Sequence, residues 1–272
     1  MHTRDEGLPA DQSTVMTSDP LKGIRVVMLN DEPTRNALTP ETVDLLLESV
    51  RIAQEDDAVR VVVLTGAGST FCSGGNTRGM GPTRPRPLER KHGLWRQNQR
   101  LVRELHTTDK PIIAAINGVA IGAGADLALH ADIRLIADEA YLRWSYINLG
   151  VIPGAGGAWI LPKIVGSSRA LELLWSGRRV TAKEAVSLGV AMRSVPRASL
   201  LDAAYELAGS FVDKPLQALR LTKRMVQQSA SVSLDAALDA ASSHFAVLQE
   251  TDDHAEAVAA MREKREPRFT DS

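Results

Sequence analysis

The chain has 272 residues, 44% of them hydrophobic and 24% charged, with a formal net charge of −1. This supplies a sizeable core, enough for one large domain with an appendage, and gives no basis for nucleic-acid binding or attraction to an anionic membrane. The only cysteine, Cys72, excludes an intrachain disulfide and a cysteine-based zinc cluster; no apolar run reaches membrane-spanning length and residues 1–20 lack a signal-peptide core, so a cytoplasmic protein with no membrane partner is expected.

Residues 1–20 are polar and rich in turn formers, and an irregular segment is expected there. Residues 24–29 read as the first strand, and residues 31–36 contain Pro33 and turn formers. Thr39 then reads as an N-cap with Pro40 at the first helical position. Val43, Leu46, Leu47 and Val50 recur at helical spacing, which predicts one face on the core. Asp56 and Asp57 close that helix, and residues 61–64 are the clearest strand in the chain. Directly after it, residues 65–80 (TGAGSTFCSGGNTRGM) form a glycine-rich loop that exposes its backbone and reaches Arg78 near its end. Residues 81–87 are expected to be irregular. Residues 92–105 predict one helix with Leu94, Asn98, Leu101, Val102 and Leu105 on a common side. His92 and His106 have no carboxylate or serine at a relay spacing and read as surface or interface residues.

Residues 110–157 are the stretch around which the chain is arranged. An apolar run at residues 112–116 reads as a buried strand, residues 117–124 as a glycine-rich turn, and residues 133–137 as the next strand. Glycines between a strand and a helix let backbone N–H groups approach a ligand, and the helix dipole adds positive potential there. That suits a phosphate or a developing oxyanion. Asp126 lies just inside the helix that follows, and a second glycine cluster occupies residues 150–157. A short helix with Trp159 spans residues 158–165. Thr181 to Glu184 is a capping box ended by Gly189. Beyond Pro196 only helical patterns remain, over residues 200–211, 216–228, 234–248 and 255–265. The division is an irregular segment over 1–20, an α/β core over 21–197 and an α-helical region over 198–272. Histidines and carboxylates do not cluster at ligand spacing, so no metal site is expected.

Five motifs in this order resemble the crotonase (enoyl-CoA hydratase/isomerase) superfamily: NALTPE at 36–41, FCSGGN at 71–76, KPIIAAINGVAIGAGADLALHAD at 110–132, LGVIPGAGG at 149–157 and the closing TDDHAEAVAAMREKREPRF. The resemblance implies an α/β fold made of a spiral of ββα turns, with an α-helical C-terminal domain that assembles trimers, commonly paired into hexamers. It implies an acyl-CoA thioester as substrate and no cofactor beyond the coenzyme A it carries. Two backbone N–H groups, which fall at Gly75 and Ala123, would hold the thioester oxygen and stabilise an enolate. The segment with Ser73, Gly74, Gly75 and Asn76 would run along the CoA together with Gly122, and Arg78 would meet CoA phosphate or remain solvated. Lys264 matches a lysine that reaches the CoA of a neighbouring subunit.

The family's hydratases use two glutamates around one water. Here those positions hold Asp126 and Tyr146. An aspartate at the first position also occurs in the family's dienoyl-CoA isomerases, whose two downstream carboxylates are matched here by Tyr146 and Gly154. Tyr146 is read either as a group that orients water or as a pocket wall, and Arg143 and Trp144 as pocket or packing residues. The leading expectation is an enoyl-CoA hydratase with Asp126 as its acid/base. The alternatives are double-bond migration or C–C cleavage on the single base Asp126, and, third, an acyl-CoA-binding protein without chemistry.

Overall fold

The computed structural model describes residues 13–76 and 86–271, and its first element corrects the sequence reading. Val15–Leu21 is a strand, β1, antiparallel to β2 (Ile24–Leu29) in the register Met16↔Met28 and Thr17↔Val27. Only Val15 of β1 is buried. Its polar side chains hide it from a hydropathy reading, because pairing with the free edge of β2 is a backbone matter; Pro20 is tolerated on such an edge.

A short 3-10 turn (Glu32–Thr34) and β3 (Ala37–Leu38) lead to α1 (Pro40–Glu55). The Thr39 hydroxyl accepts the Thr42 N–H at 3.1 Å, and Thr42, Val43, Leu46, Leu47, Val50 and Ala53 are buried. Truncating Leu46 to Ala would cost about 2–5 kcal/mol. The far end of α1 is closed by Lys110, wholly buried, whose ammonium donates to the carbonyls of Ala53 at 2.9 Å and Asp56 at 2.6 Å. It thus satisfies orphan helix-end acceptors.

The chain then climbs by a repeated move. β4 (Val61–Gly66) lies in the main sheet and β5 (Thr70–Cys72) in a second one, with β6 (Gly74–Gly75) paired to β3. After α2 (Pro87–Arg96) and α3 (Asn98–Thr107), β7 (Ile112–Ile116) returns to the main sheet, β8 (Val119–Ile121) to the second, and α4 (Ala123–Leu129) follows. β9 (Ile133–Ala137), β10 (Tyr141–Arg143), a 3-10 turn (Ser145–Leu149), α5 (Gly157–Val165) and α6 (Ser167–Ser176) make the next turn. β11 (Arg179–Thr181), α7 (Ala182–Ser187) and β12 (Arg193–Val195) complete the core. The main sheet has the order β1-β2-β4-β7-β9-β12, parallel except for β1, and the second β11-β10-β8-β5. Each strand–strand–helix turn therefore adds one parallel strand to both sheets, the expected ββα spiral. All residues of β4 and β7 are buried, as unbroken apolar runs demand in a sheet covered on both faces.

The structure refines three further readings. The glycine-rich loop after β4 contains β5 and β6, and the turn after β7 contains β8; strands of two or three residues carry too little periodicity to be seen. The helix predicted over 92–105 breaks at Gln97 (φ −104°, ψ −103°), and Leu94 leaves the common buried side, 37% exposed and set against Gly154. Finally, Thr181 caps α7, but the Glu184 carboxylate turns to Arg178 at 2.7 Å, so only half of the capping box forms.

Four helices end the chain: α8 (Leu200–Val212), α9 (Leu216–Gln228), α10 (Leu234–Gln249) and α11 (Asp252–Glu263). α8 packs on β2, β4, β7 and β9. α10 buries none of its residues and exposes Leu234, Leu238, Phe245 and Val247. No helix among the described residues is long and apolar enough to cross a membrane.

Candidate active site

The two glycine loops, some fifty residues apart in sequence, touch. Parallel pairing of β6 with β3 (Ala37↔Gly74, Leu38↔Gly75) carries the first loop across the start of α4. Gly74 has φ +87°, and a Cβ added there would stand 2.5 Å from the Ile121 carbonyl oxygen and 3.2 Å from the Ala123 nitrogen. Only glycine permits that conformation and that approach. Gly75 faces open space. In the second loop, the Gly122 N–H donates to the Arg143 carbonyl at 2.8 Å, whereas no acceptor among the described residues takes the N–H of Ala123, the first residue of α4.

Two buried asparagines hold the first loop in place. Asn36 donates to the Thr70 carbonyl at 2.7 Å and the Ala67 carbonyl at 3.1 Å. Asn117 accepts the Gly66 N–H at 3.1 Å and donates to the Gly68 carbonyl at 3.0 Å. The Ser73 hydroxyl donates to the Thr34 carbonyl at 3.1 Å, which makes Ser73 an anchor of the loop. Asn76 is the last described residue of this segment, and Arg78 lies outside the described residues.

One turn into α4, Asp126 is 0% exposed. Its Oδ2 accepts the Tyr146 hydroxyl at 2.6 Å, and its Oδ1 accepts the Trp144 indole N–H at 3.1 Å. The backbone N–H groups of Gly157 and Ala155 also lie on the side of the carboxylate and favour its charged form. A Cβ on Gly157 would collide with Oδ1, so the first residue of α5 must be glycine for the carboxylate to sit at that helix N-terminus. Burial pushes the Asp126 pKa up to about 6, against these four donors, with Tyr146 the strongest of them. Burial, together with the Asp126 charge beside it, raises the Tyr146 pKa, so the phenol stays protonated. The Tyr146 ring lies beside Gly122: its Cζ and Cε1 atoms come within 3.8 and 3.9 Å of a Cβ added there.

The sequence reading missed His130, which sits one turn beyond Asp126 on α4 and is 7% exposed. Its Nε2 is 3.1 Å from the Ala155 carbonyl, which can only accept, so Nε2 carries the hydrogen. Burial lowers its pKa to about 4 and keeps it neutral. Asp126 and His130 thus meet the second glycine cluster from one side, Asp126 against Gly157 and His130 through the C=O of Ala155. An i, i+4 spacing was the available signal. Trp144 is wholly buried as a donor to Asp126, and Arg143 is half-buried and donates to the Gly177 carbonyl at 2.6 Å. A Cβ at Gly154 would meet Leu94 at 3.0 Å, so an apolar side chain of α2 fills the space in which a second carboxylate would project.

The structure therefore brings Gly74, Gly75, Gly122, Ala123, Asp126 and Tyr146 together. It does not bring Lys264 to them: that residue caps α11 in a left-handed conformation (φ 53°), exposed, with no contact to these loops among the described residues.

Residues 20–272 match the family model described as enoyl-CoA hydratase/isomerase. The chain is 36% identical to the 1,2-epoxyphenylacetyl-CoA isomerase of Escherichia coli K12 over 251 residues, covering 92% of this chain and 95% of that one. It is 37% identical to a probable enoyl-CoA hydratase of Mycobacterium tuberculosis H37Rv over 275 residues, 97% and 95% of the two chains. Among solved structures it resembles an enoyl-CoA hydratase from Bacillus anthracis (TM-score 0.90, 30% identity, 95% and 100% covered). A putative enoyl-CoA hydratase from Streptomyces coelicolor A3(2) is similar as well (TM-score 0.89, 32% identity, 99% and 98% covered).

Proposed function

The chain belongs to the enoyl-CoA hydratase/isomerase family, and from that premise we propose that it binds an enoyl-CoA thioester and adds water to it, or eliminates water, through a stabilised enolate. The observation that carries this reading is the contact of Gly74 with Ala123 beside a buried carboxylate. Backbone N–H groups at Gly75 and Ala123 are fixed by two sheets before substrate arrives, so they stabilise a developing thioester oxyanion with little reorganisation. Asp126 is the acid/base: a carboxylate with a pKa of about 6 is ionised near neutrality and close enough to it to give a proton back. The single group would take a proton from water as it attacks Cβ and return it to Cα.

A second reading, migration of the double bond, is favoured by the filling of the Gly154 space by Leu94, which leaves Asp126 without a second carboxylate. Moving a double bond needs one base and the oxyanion hole. Hydratase and isomerase both occur in the relatives' names, the isomerase being one of 1,2-epoxyphenylacetyl-CoA. The reading extends to assembly: the bare apolar face of α10 supports a homotrimer, or a dimer of trimers, in which Lys264 meets a neighbour's CoA.

Incubation of the protein with crotonyl-CoA in deuterated water, followed by mass spectrometry and NMR of the thioester, tests this. Hydrated product supports the first reading. Deuterium at Cα or Cγ without hydration supports the second. If Asp126→Asn turns over as fast as the wild type, Asp126 loses its role.

A further inference from the structure

We propose that proton transfer in this site runs through the Tyr146 hydroxyl, which relays the substrate's proton to Asp126, so that the working base is the hydrogen-bonded pair rather than the carboxylate alone. This rests on the reading above, in which the thioester is held at Gly75 and Ala123.

Asp126 is badly placed to reach substrate itself. It is 0% exposed, and each of its two oxygens already accepts a side-chain donor, Tyr146 on Oδ2 and Trp144 on Oδ1. Oδ2 is turned to the phenol, and Oδ1 to the indole with Gly157 packed against it, so neither oxygen faces open space. Tyr146 is placed differently. It is half-buried, and its Cζ and Cε1 are the atoms nearest a Cβ added at Gly122, next to the Ala123 N–H, which finds no acceptor among the described residues. The hydroxyl end of the ring therefore borders the space beside the proposed oxyanion donor. A phenol that spends its hydrogen on Asp126 at 2.6 Å keeps a lone pair for a second proton.

The step balances without any further reactant. The substrate C–H bond breaks and its proton joins Tyr146 Oη as the tyrosine's own hydrogen crosses to Asp126 Oδ2. The electron pair of that bond becomes the enolate, with its charge on the oxygen at Gly75 and Ala123. Tyr146 is neutral before and after, and Asp126 changes from anion to acid. The reverse sequence delivers a proton to carbon. When water is the nucleophile, its O–H bond takes the place of C–H. Trp144 is a positioning residue here: by occupying Oδ1 it turns Oδ2 toward the phenol.

The test compares wild type, Tyr146→Phe and Asp126→Asn in the loss of α-deuterium from labelled phenylacetyl-CoA and in turnover of crotonyl-CoA, with butyryl-CoA binding as the control for an intact fold. Both variants are expected to lose at least about 100-fold in rate, the usual scale of general acid–base catalysis, with butyryl-CoA affinity kept within about threefold. A Tyr146→Phe loss below that, beside an inactive Asp126→Asn, overturns the relay and leaves the functional reading intact. Two active variants remove Asp126 and the relay together. No reaction of wild type with either thioester overturns the functional reading itself. A second measurement needs no variant. In direct abstraction by Asp126 no solvent-exchangeable hydrogen is in flight, whereas the relay moves the tyrosine hydrogen. Loss of an α-tritium label, measured on the pH plateau, should therefore be slower in D2O than in H2O, and equal rates overturn the relay.

Discussion

Asp126→Asn should change the pH dependence of stability in a direction set by the two buried groups of α4. The Asp126 pKa is raised from 3.8 to about 6, chiefly by burial, and that of His130 is lowered from 6.5 to about 4, also by burial. The raised carboxylate binds its proton more tightly when folded, so its contribution is fully present below pH 3.8 and lost as pH rises through 6. At about 1.4 kcal/mol per pH unit, that gap is worth about 3 kcal/mol. The depressed histidine does the opposite: its contribution is present above pH 6.5 and lost as pH falls through 4, again about 3 kcal/mol. In the wild type the two nearly cancel over one pH window. Asp126→Asn removes the first and leaves the second. Relative to wild type, its unfolding free energy should rise by about 3 kcal/mol between pH 4 and pH 7. Urea unfolding followed by circular dichroism, at one protein concentration because assembly would contribute, measures this. A difference that stays flat across the window would refute the argument, since an ordinary exposed carboxylate produces no such slope.

Further outcomes follow from the same contacts. The kcat/KM profile should fall tenfold per pH unit below about 6, where Asp126 protonates, and Trp144→Phe should move that limb upward by removing a donor to the anion; an unmoved limb in a pH–rate series would detach Trp144 from the site. Ala123→Pro deletes one N–H at a helix position where proline is tolerated, and kcat should drop about 100- to 1,000-fold with acyl-CoA affinity nearly unchanged in steady-state and equilibrium binding assays. Lys264→Gly should raise the KM for acyl-CoA while stabilising the fold by up to about 1 kcal/mol, because the residue is left-handed. A thermal melt and a KM measurement on that variant read the two effects separately.

Much of the fold was legible because its elements carry strong periodicity or clear punctuation. The Thr39-Pro40 start of α1, the apolar strands β7 and β9 and the start of α9 at Leu216 stand where spacing and capping placed them. Elements that rely on pairing were not legible. β1 is a polar strand held by the edge of β2, and β5, β6 and β8 are too short to show a period. The site divided the same way. Gly75, Ala123, Asp126 and Tyr146 stand out as residue types in glycine-rich or carboxylate positions. His130, Trp144, Asn36 and Asn117 look like ordinary core residues until their partners are known.

By itself, the sequence determined an α/β core with a helical end and two glycine loops that expose backbone, and its motifs carried the family resemblance that implies a ββα spiral with one aspartate and one tyrosine in place of two glutamates. These are properties of residue type and order. Only the tertiary structure decided that the aspartate is sealed behind the tyrosine, with an indole donating to its other oxygen and Gly157 packed against it. The physical reason is that a carboxylate's chemistry depends on its solvent and its hydrogen-bond donors. Here those come from the strand-to-3-10 junction around Trp144 and Tyr146 and from the head of α5, some twenty to thirty residues further along the chain and adjacent only once both sheets have formed.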